Sequence, residues 1–174
     1  DWILKKGLIL KDVDNLNSDF STEIDLLLAT PEMIYIFECK SYSGDKTLTK
    51  ECTITTNSRT FDVFKQNALH ANIFFKQFKA YLTKQVIKPP IQLVLFNMSN
   101  GRLIDKRNDR YKQLMPVIQI ETLFSFLDRN KLLTGKSGKL WNMTYVRKSL
   151  NVIEKHSKQS RKEHLEYVKR LHGE

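Results

Sequence analysis

Two short apolar runs, Ile24 to Ala29 and Met33 to Cys39, parted only by Thr30, Pro31 and Glu32, constrain this chain more than any other feature. Each run is too short for an ordinary helix, and a proline with polar neighbours between two such runs is a hairpin signal. Pairing about a turn centred between Pro31 and Glu32 sets Asp25 opposite Glu38. Directly opposed residues hold their Cβ atoms about 4.5–5.5 Å apart, which lets two carboxylates share one cation. Lys40, two residues beyond Glu38, projects from the same face.

The setting of these charges is informative. Asp25 is followed by Leu26, Leu27 and Leu28, and Glu38 is preceded by Ile34, Tyr35, Ile36 and Phe37, runs suited to burial on both faces. Two carboxylates brought together there resist ionisation unless a cation lies between them. Oxygen-only ligation favours Mg²⁺ or Mn²⁺ over zinc, and His70, His156, His164 and His172 lack a zinc spacing. With Lys40 to orient a water or to stabilise developing negative charge, the coherent chemistry is phosphodiester hydrolysis. The spacing alone is a weak signal, and without the apolar flanks a solvated salt bridge at a strand end is the favoured reading.

Elsewhere, Trp2 to Leu10 reads as an edge strand and Lys11 to Thr22, rich in Asp, Asn and Ser, as a loop. The polar stretch Thr47 to Thr60 has room for one more strand. Phe64, Ala68, Ala71, Phe75, Phe78 and Leu82 recur at helical spacing, with Asp62 placed as N-cap and Pro89 and Pro90 as the stop. The aromatics Phe74, Phe75, Phe78 and Tyr81 interleave with Lys76, Lys79 and Lys84, a mixture able to stack bases, although the spacing assigns Phe75 and Phe78 to the core. Ile91 to Phe96 reads as a buried strand, Asn100-Gly101 as a turn, Pro116 to Ile120 as a strand and Thr122 to Asp128 as a short helix. Beyond the Gly135 to Gly138 loop a basic helix is expected, with Lys155, Lys158, Arg161, Lys162, Lys169 and Arg170 around a sparse apolar set of Leu165, Val168 and Leu171. This order implies an α/β, more closely α+β, domain with a mixed sheet flanked by helices.

A length of 174 residues suits one domain, and 41% hydrophobic with 28% charged residues is a folded composition. No apolar run approaches the about 20 residues of a membrane helix, so no membrane partner is expected. The sequence opens on Asp1 with nothing resembling a leader, as a piece of a longer protein would. Cys39 and Cys52 cannot build a disulfide framework, which favours the reducing cytoplasm. A formal charge of +10 favours polyanionic partners, nucleic acid first.

The run from Glu23 to Gly44, EIDLLLATPEMIYIFECKSYSG, resembles the core of the nuclease-related domain (NERD) family, a branch of the PD-(D/E)XK nuclease superfamily. An Ile-Asp, an apolar strand, a turn and Glu-x-Lys-x-aromatic-x-Gly recur here as Asp25 and then Glu38, Lys40, Tyr42 and Gly44. Asp62-Val63-Phe64-Lys65-Gln66-Asn67 is similar to the family's Asn-Pro-x-x-Gln-Asn helix start, departing at Asp62 and Val63. The resemblance spans roughly Trp2 to Asp128, with its specific motifs confined to Glu23 to Asn67. It implies a restriction-endonuclease-like core over residues 1–130 and a basic, largely helical extension over 131–174, packed on the core or trailing from it. It also implies Asp25 and Glu38 as ligands of Mg²⁺ or Mn²⁺, Lys40 as the catalytic lysine and Gln66 as a further catalytic residue. The partner implied is nucleic acid, DNA favoured over RNA, and an inactive nucleic-acid-binding or protein-interaction module of the same fold is the alternative. Glu23, two residues before Asp25, is either a distal ligand or a surface charge, and His70, four residues after Gln66, either a general base or a helix-surface histidine. The superfamily core usually opens with a helix bearing another acidic site residue, where this chain opens with a strand.

Overall fold

The structure, a computed structural model, describes residues 2–11, 20–41, 43–55, 60–81, 91–98, 101–135 and 142–173. Tyr42 of the motif, Leu82, Lys84, the Pro89-Pro90 stop, Asn100 of the expected turn and most of the Gly135 to Gly138 loop lie outside them.

Strands β1 (Ile3–Lys11), β2 (Ser21–Ala29) and β3 (Ile34–Lys40) form an antiparallel meander. Its second turn is closed by Thr30, whose amide donates to the Met33 carbonyl at 2.9 Å and whose hydroxyl accepts from the Met33 amide at 3.1 Å. Three short strands follow, β4 (Lys46–Leu48), β5 (Ile54–Thr55) and β6 (Thr60–Phe61), and then helix α1 (Val63–Tyr81), capped by Asp62 Oδ1 accepting from the Lys65 amide at 2.8 Å. Strand β7 (Ile91–Asn97) returns parallel to β3, with Glu38 beside Leu95 and Lys40 beside Asn97. After β8 (Leu103–Asp105), α2 (Asp109–Leu114) and β9 (Val117–Ile118), a 3-10 turn at Ile120–Thr122 opens α3 (Leu123–Gly135), and α4 (Met143–His172) ends the chain. The main sheet runs β1-β2-β3-β7-β9, and β6-β5-β4-β8 form a second, small sheet. The result is the expected mixed sheet between helices, consistent with a restriction-endonuclease-like core. No helix among the described residues is long and apolar enough to cross a membrane.

Helices α1 and α4 cover one face of the main sheet, where Phe74 and Phe78 of α1 and Val146, Leu150 and Ile153 of α4 pack on Leu8, Leu10, Ile24, Leu27 and Ile36. Burying each of these large α4 side chains is worth about 1.5–3 kcal/mol. The other face carries Leu28, Tyr35, Phe37, Val94, Phe96 and Ile118 under Leu127 of α3. One helical reading of the sequence needs correction. On α1 the deeply buried row is Val63, Asn67, His70, Phe74 and Gln77, one residue back from most of the expected row, whose Phe64, Ala68, Ala71 and Phe75 are only half-buried while Phe78 is fully buried as expected. The buried row carries polar side chains, so hydrophobic periodicity selected its apolar neighbour. On α4 Leu165 and Leu171 of the sparse apolar set are exposed, and docking falls to the earlier Val146, Leu150 and Ile153. Ser157 of α4 also serves the free edge of β1, its Oγ accepting from the Ile9 amide at 2.8 Å.

The β1–β2 ladder has one interruption. Lys6 pairs with Leu26 and Leu8 with Ile24, and between them Gly7 and Asp25 are unpaired. Side chains two apart on a strand normally share a face. Here Ile24 joins the α1/α4 core while Leu26 packs toward the α3 face, so the pleat is reset at Asp25. Across from it Gly7 takes a left-handed φ of +60°, a conformation glycine adopts without penalty.

Candidate active site

Glu38 is the floor of the site. It leaves β3 toward α1 and is 1% exposed, yet it is ionisable. One oxygen, Oε1, forms a close ion pair with Lys40 Nζ from the same face of the strand, and the other, Oε2, lies 3.3 Å from His70 Nδ1 of α1. Burial pushes the Glu38 carboxyl upward, but His70 and the Lys40 ammonium outweigh it and hold the group below the usual glutamate range. Lys40 Nζ also donates to Gln66 Oε1 at 3.4 Å, so strand and helix grip the ammonium from two sides.

Asp25 sits at the other side of a gap. The paired register of β2 and β3 ends at Leu26 with Phe37, and past it the Asp25 Oδ2 accepts from the Cys39 amide at 2.8 Å. The carboxylate therefore fills the place where the next ladder bond would form. Burial raises its pKa, the Cys39 amide opposes this, and the negative charge of Glu38 adds to the rise. Asp25 opens on a cleft of about 650 Å³ lined by Lys6, Gly7, Leu26, Cys39, Phe96, Met98 and Arg161, among others. Cys39 beside it is no nucleophile, since burial pushes its thiol up to about 12.

The structure thus puts Lys40 in contact with both Glu38 and Gln66 and sets Asp25 within electrostatic reach of Glu38 and Lys40. Glu23 lines the same cleft as Asp25 but touches α4 rather than Glu38, Lys40 or Gln66. Its oxygens lie 3.7 Å from Arg161 Nη2 and 3.5 Å from His164 Nε2 of α4, and Ser21 Oγ completes the cluster at 2.8 Å from His164 Nδ1. His70 is buried against Glu38 rather than lying on the helix surface. Asn67 has a role that the sequence reading left unassigned. Fully buried, its Nδ2 donates to the Ile36 and Val94 carbonyls, each at 3.3 Å, and so locks α1 across β3 and β7. An amide among apolar helix neighbours was the available signal.

Among the described residues no three His, Cys, Asp or Glu side chains converge as a metal-holding group. Two carboxylates are nevertheless what Mg²⁺ asks of a protein, the remaining positions going to waters and substrate phosphate. Glu38 Oε2 is buried without a well-formed hydrogen bond and faces His70 Nδ1 at 3.3 Å. A cation beside Asp25 would also relieve the repulsion from Glu38 that raises its pKa. The donor set fits a hard divalent ion.

Comparison with protein-family models matches residues 1–97 to the nuclease-related domain, a stretch that contains β1 to β7, α1 and Asp25, Glu38, Lys40, Gln66 and His70. The chain belongs to the nuclease-related domain family. Its known context is the PD-(D/E)XK superfamily, which the order of strands and the acid–acid–lysine set both suit. Membership carries a nuclease-related function, a general involvement of nucleic acid and a general dependence on divalent metal. No curated protein and no solved structure matches the chain.

Proposed function

We propose that this NERD domain is a Mg²⁺- or Mn²⁺-dependent hydrolase of nucleic-acid phosphodiester bonds, acting on DNA in preference to RNA. The observation that carries the reading is the buried Glu38 holding Lys40, with Gln66 on the lysine's other side and Asp25 across the strand gap. Asp25 and Glu38 would hold the ion, which supplies a polarised phosphate and a water of lowered pKa.

The chain's own groups do the remaining work. Lys40 presents a desolvated ammonium to charge developing on the phosphate, and Gln66 keeps that ammonium from following Glu38 alone. His70 is a positioning residue, fixing the far oxygen of Glu38. Both cysteines are free, which suits the reducing cytoplasm in which we place the domain. A second reading, an inactive nucleic-acid-binding or protein-interaction module, draws on the Glu38–Lys40 pair, which is a complete ion pair without any metal.

The test is incubation of the purified chain with labelled DNA and RNA in Mg²⁺ or Mn²⁺. Cleavage is expected, lost on chelation and reduced about 10²–10³-fold in Lys40→Ala, the effect of removing one charge-stabilising donor. A folded protein that leaves both polymers intact with each metal overturns the nuclease reading in favour of the second.

A further inference from the structure

Resting on the reading of the site as one for nucleic acid, we infer that the Asp25 cleft receives an unpaired nucleotide, its base on an apolar floor and its flanking phosphates on cations from both ends of the chain. The floor is Leu26, Phe96 and Met98, with the neutral thiol of Cys39 between them. Met98 is 57% exposed, a large flexible apolar side chain left open to solvent beside a catalytic carboxylate. A duplex offers such a surface nothing, because its bases are stacked away and its backbone is charged. An unpaired base has two apolar faces that gain from cover, about 1–3 kcal/mol for each stacked base.

The rim carries two cations, Lys6 and Arg161, beside two acids, Glu23 and Asp25. Lys6 is exposed and has no ion-pair partner among the described residues. Arg161 reaches over from α4, where its side chain is 51% exposed, donates to the Gly7 carbonyl at 2.9 Å and lies 3.7 Å from Glu23. Helix α4 brings eight lysines and arginines against three glutamates, so the wall that Arg161 belongs to is basic along its length. This helix lies beyond the residues matched to the family, yet it borders the cleft that holds Asp25. Substrates with single-stranded stretches, overhangs or frayed ends follow as the preferred class.

The experiment is fluorescence anisotropy of the full chain in EDTA, where nothing is cleaved, with a labelled single strand and a blunt duplex of equal length. The single strand is expected to bind about tenfold more tightly, within the range one stacked base supplies. Met98→Asp, at an exposed position, is expected to abolish that preference and leave duplex binding in place. Lys6→Ala is expected to weaken single-strand binding and lower the slope of log affinity against log salt by about 0.7, one phosphate contact. Equal binding of the two probes, a preference untouched by Met98→Asp, or no binding at all overturns the inference. Metal-dependent cleavage with equal binding overturns it alone, while a single-strand preference in a protein that never cleaves overturns only the hydrolase reading.

Discussion

The Glu38 carboxylate is sealed beneath α1 with a lysine and a histidine at its two oxygens, whereas Asp25, across the gap between β2 and β3, opens on a cleft and leans on a single backbone amide. Both acids are taken out of water, and both pay desolvation, yet their pKa values move in opposite directions. Paired charge decides the difference: Glu38 has the Lys40 ammonium in contact and His70 at its other oxygen, while the influences on Asp25 include another anion. Glu38 is consequently tied into the folded framework that fixes Lys40, whereas Asp25 is the acid that opens on the cleft.

The sharpest way to break this contrast is to remove each acid in turn. Glu38→Ala strands Lys40 and His70 in a dry pit, and loss of one member of a buried pair costs about 3–5 kcal/mol. Urea denaturation is expected to register that loss alongside abolished cleavage, and an undiminished stability would mean the pit is wetter than its burial implies. Asp25→Asn is expected to behave differently. The amide oxygen still accepts from Cys39, and no charge has to be desolvated, so the denaturation midpoint should hold or rise slightly. Cleavage in the same variant is expected to fall by about a hundredfold or more, since on the proposed reading one of the two metal-binding carboxylates is gone. Unfolding of Asp25→Asn comparable to that of Glu38→Ala would erase the distinction.

The smallest effect belongs to a reference pair away from the cleft. Asp105 Oδ2 lies 2.9 Å from Arg107 Nη2, whose guanidinium is buried. Burial raises the Asp105 carboxyl, but hydrogen bonds and charge from Arg107 prevail and lower it. A carboxyl with a depressed folded pKa stabilises above its unfolded value and loses that contribution as the pH falls through the folded one. The stability gap between wild type and Asp105→Asn is therefore expected at neutral pH and should close in acid, as followed by thermal denaturation against pH.

Much of this was legible in the sequence, and unevenly so. The hairpin register followed from two apolar runs and a proline, because period and turn chemistry are local. Most of the α1 stripe was misplaced by one residue for a reason tied to the site: Asn67, His70 and Gln77 sit where a hydrophobic pattern expects none. The buried partnership of His70 with Glu38 likewise needed the helix laid on the sheet. Least visible was α4, whose docking residues Val146, Leu150 and Ile153 lie before the basic stretch that drew attention to it. Long-range contacts such as Arg161 to Gly7 leave no trace in local periodicity.

The break in the β1–β2 ladder couples two positions that share no chemistry. Gly7 carries no reactive group, but a Cβ added there would lie 2.8 Å from Glu23 Oε1 and 3.0 Å from Arg161 Nη2, on a backbone already in left-handed territory. A side chain at position 7 would thus press on the strand opposite Asp25 and on the arm of α4 at once. Damage to the reaction could then arise from a silent-looking change on an edge strand, with every acid and base still in its proper identity.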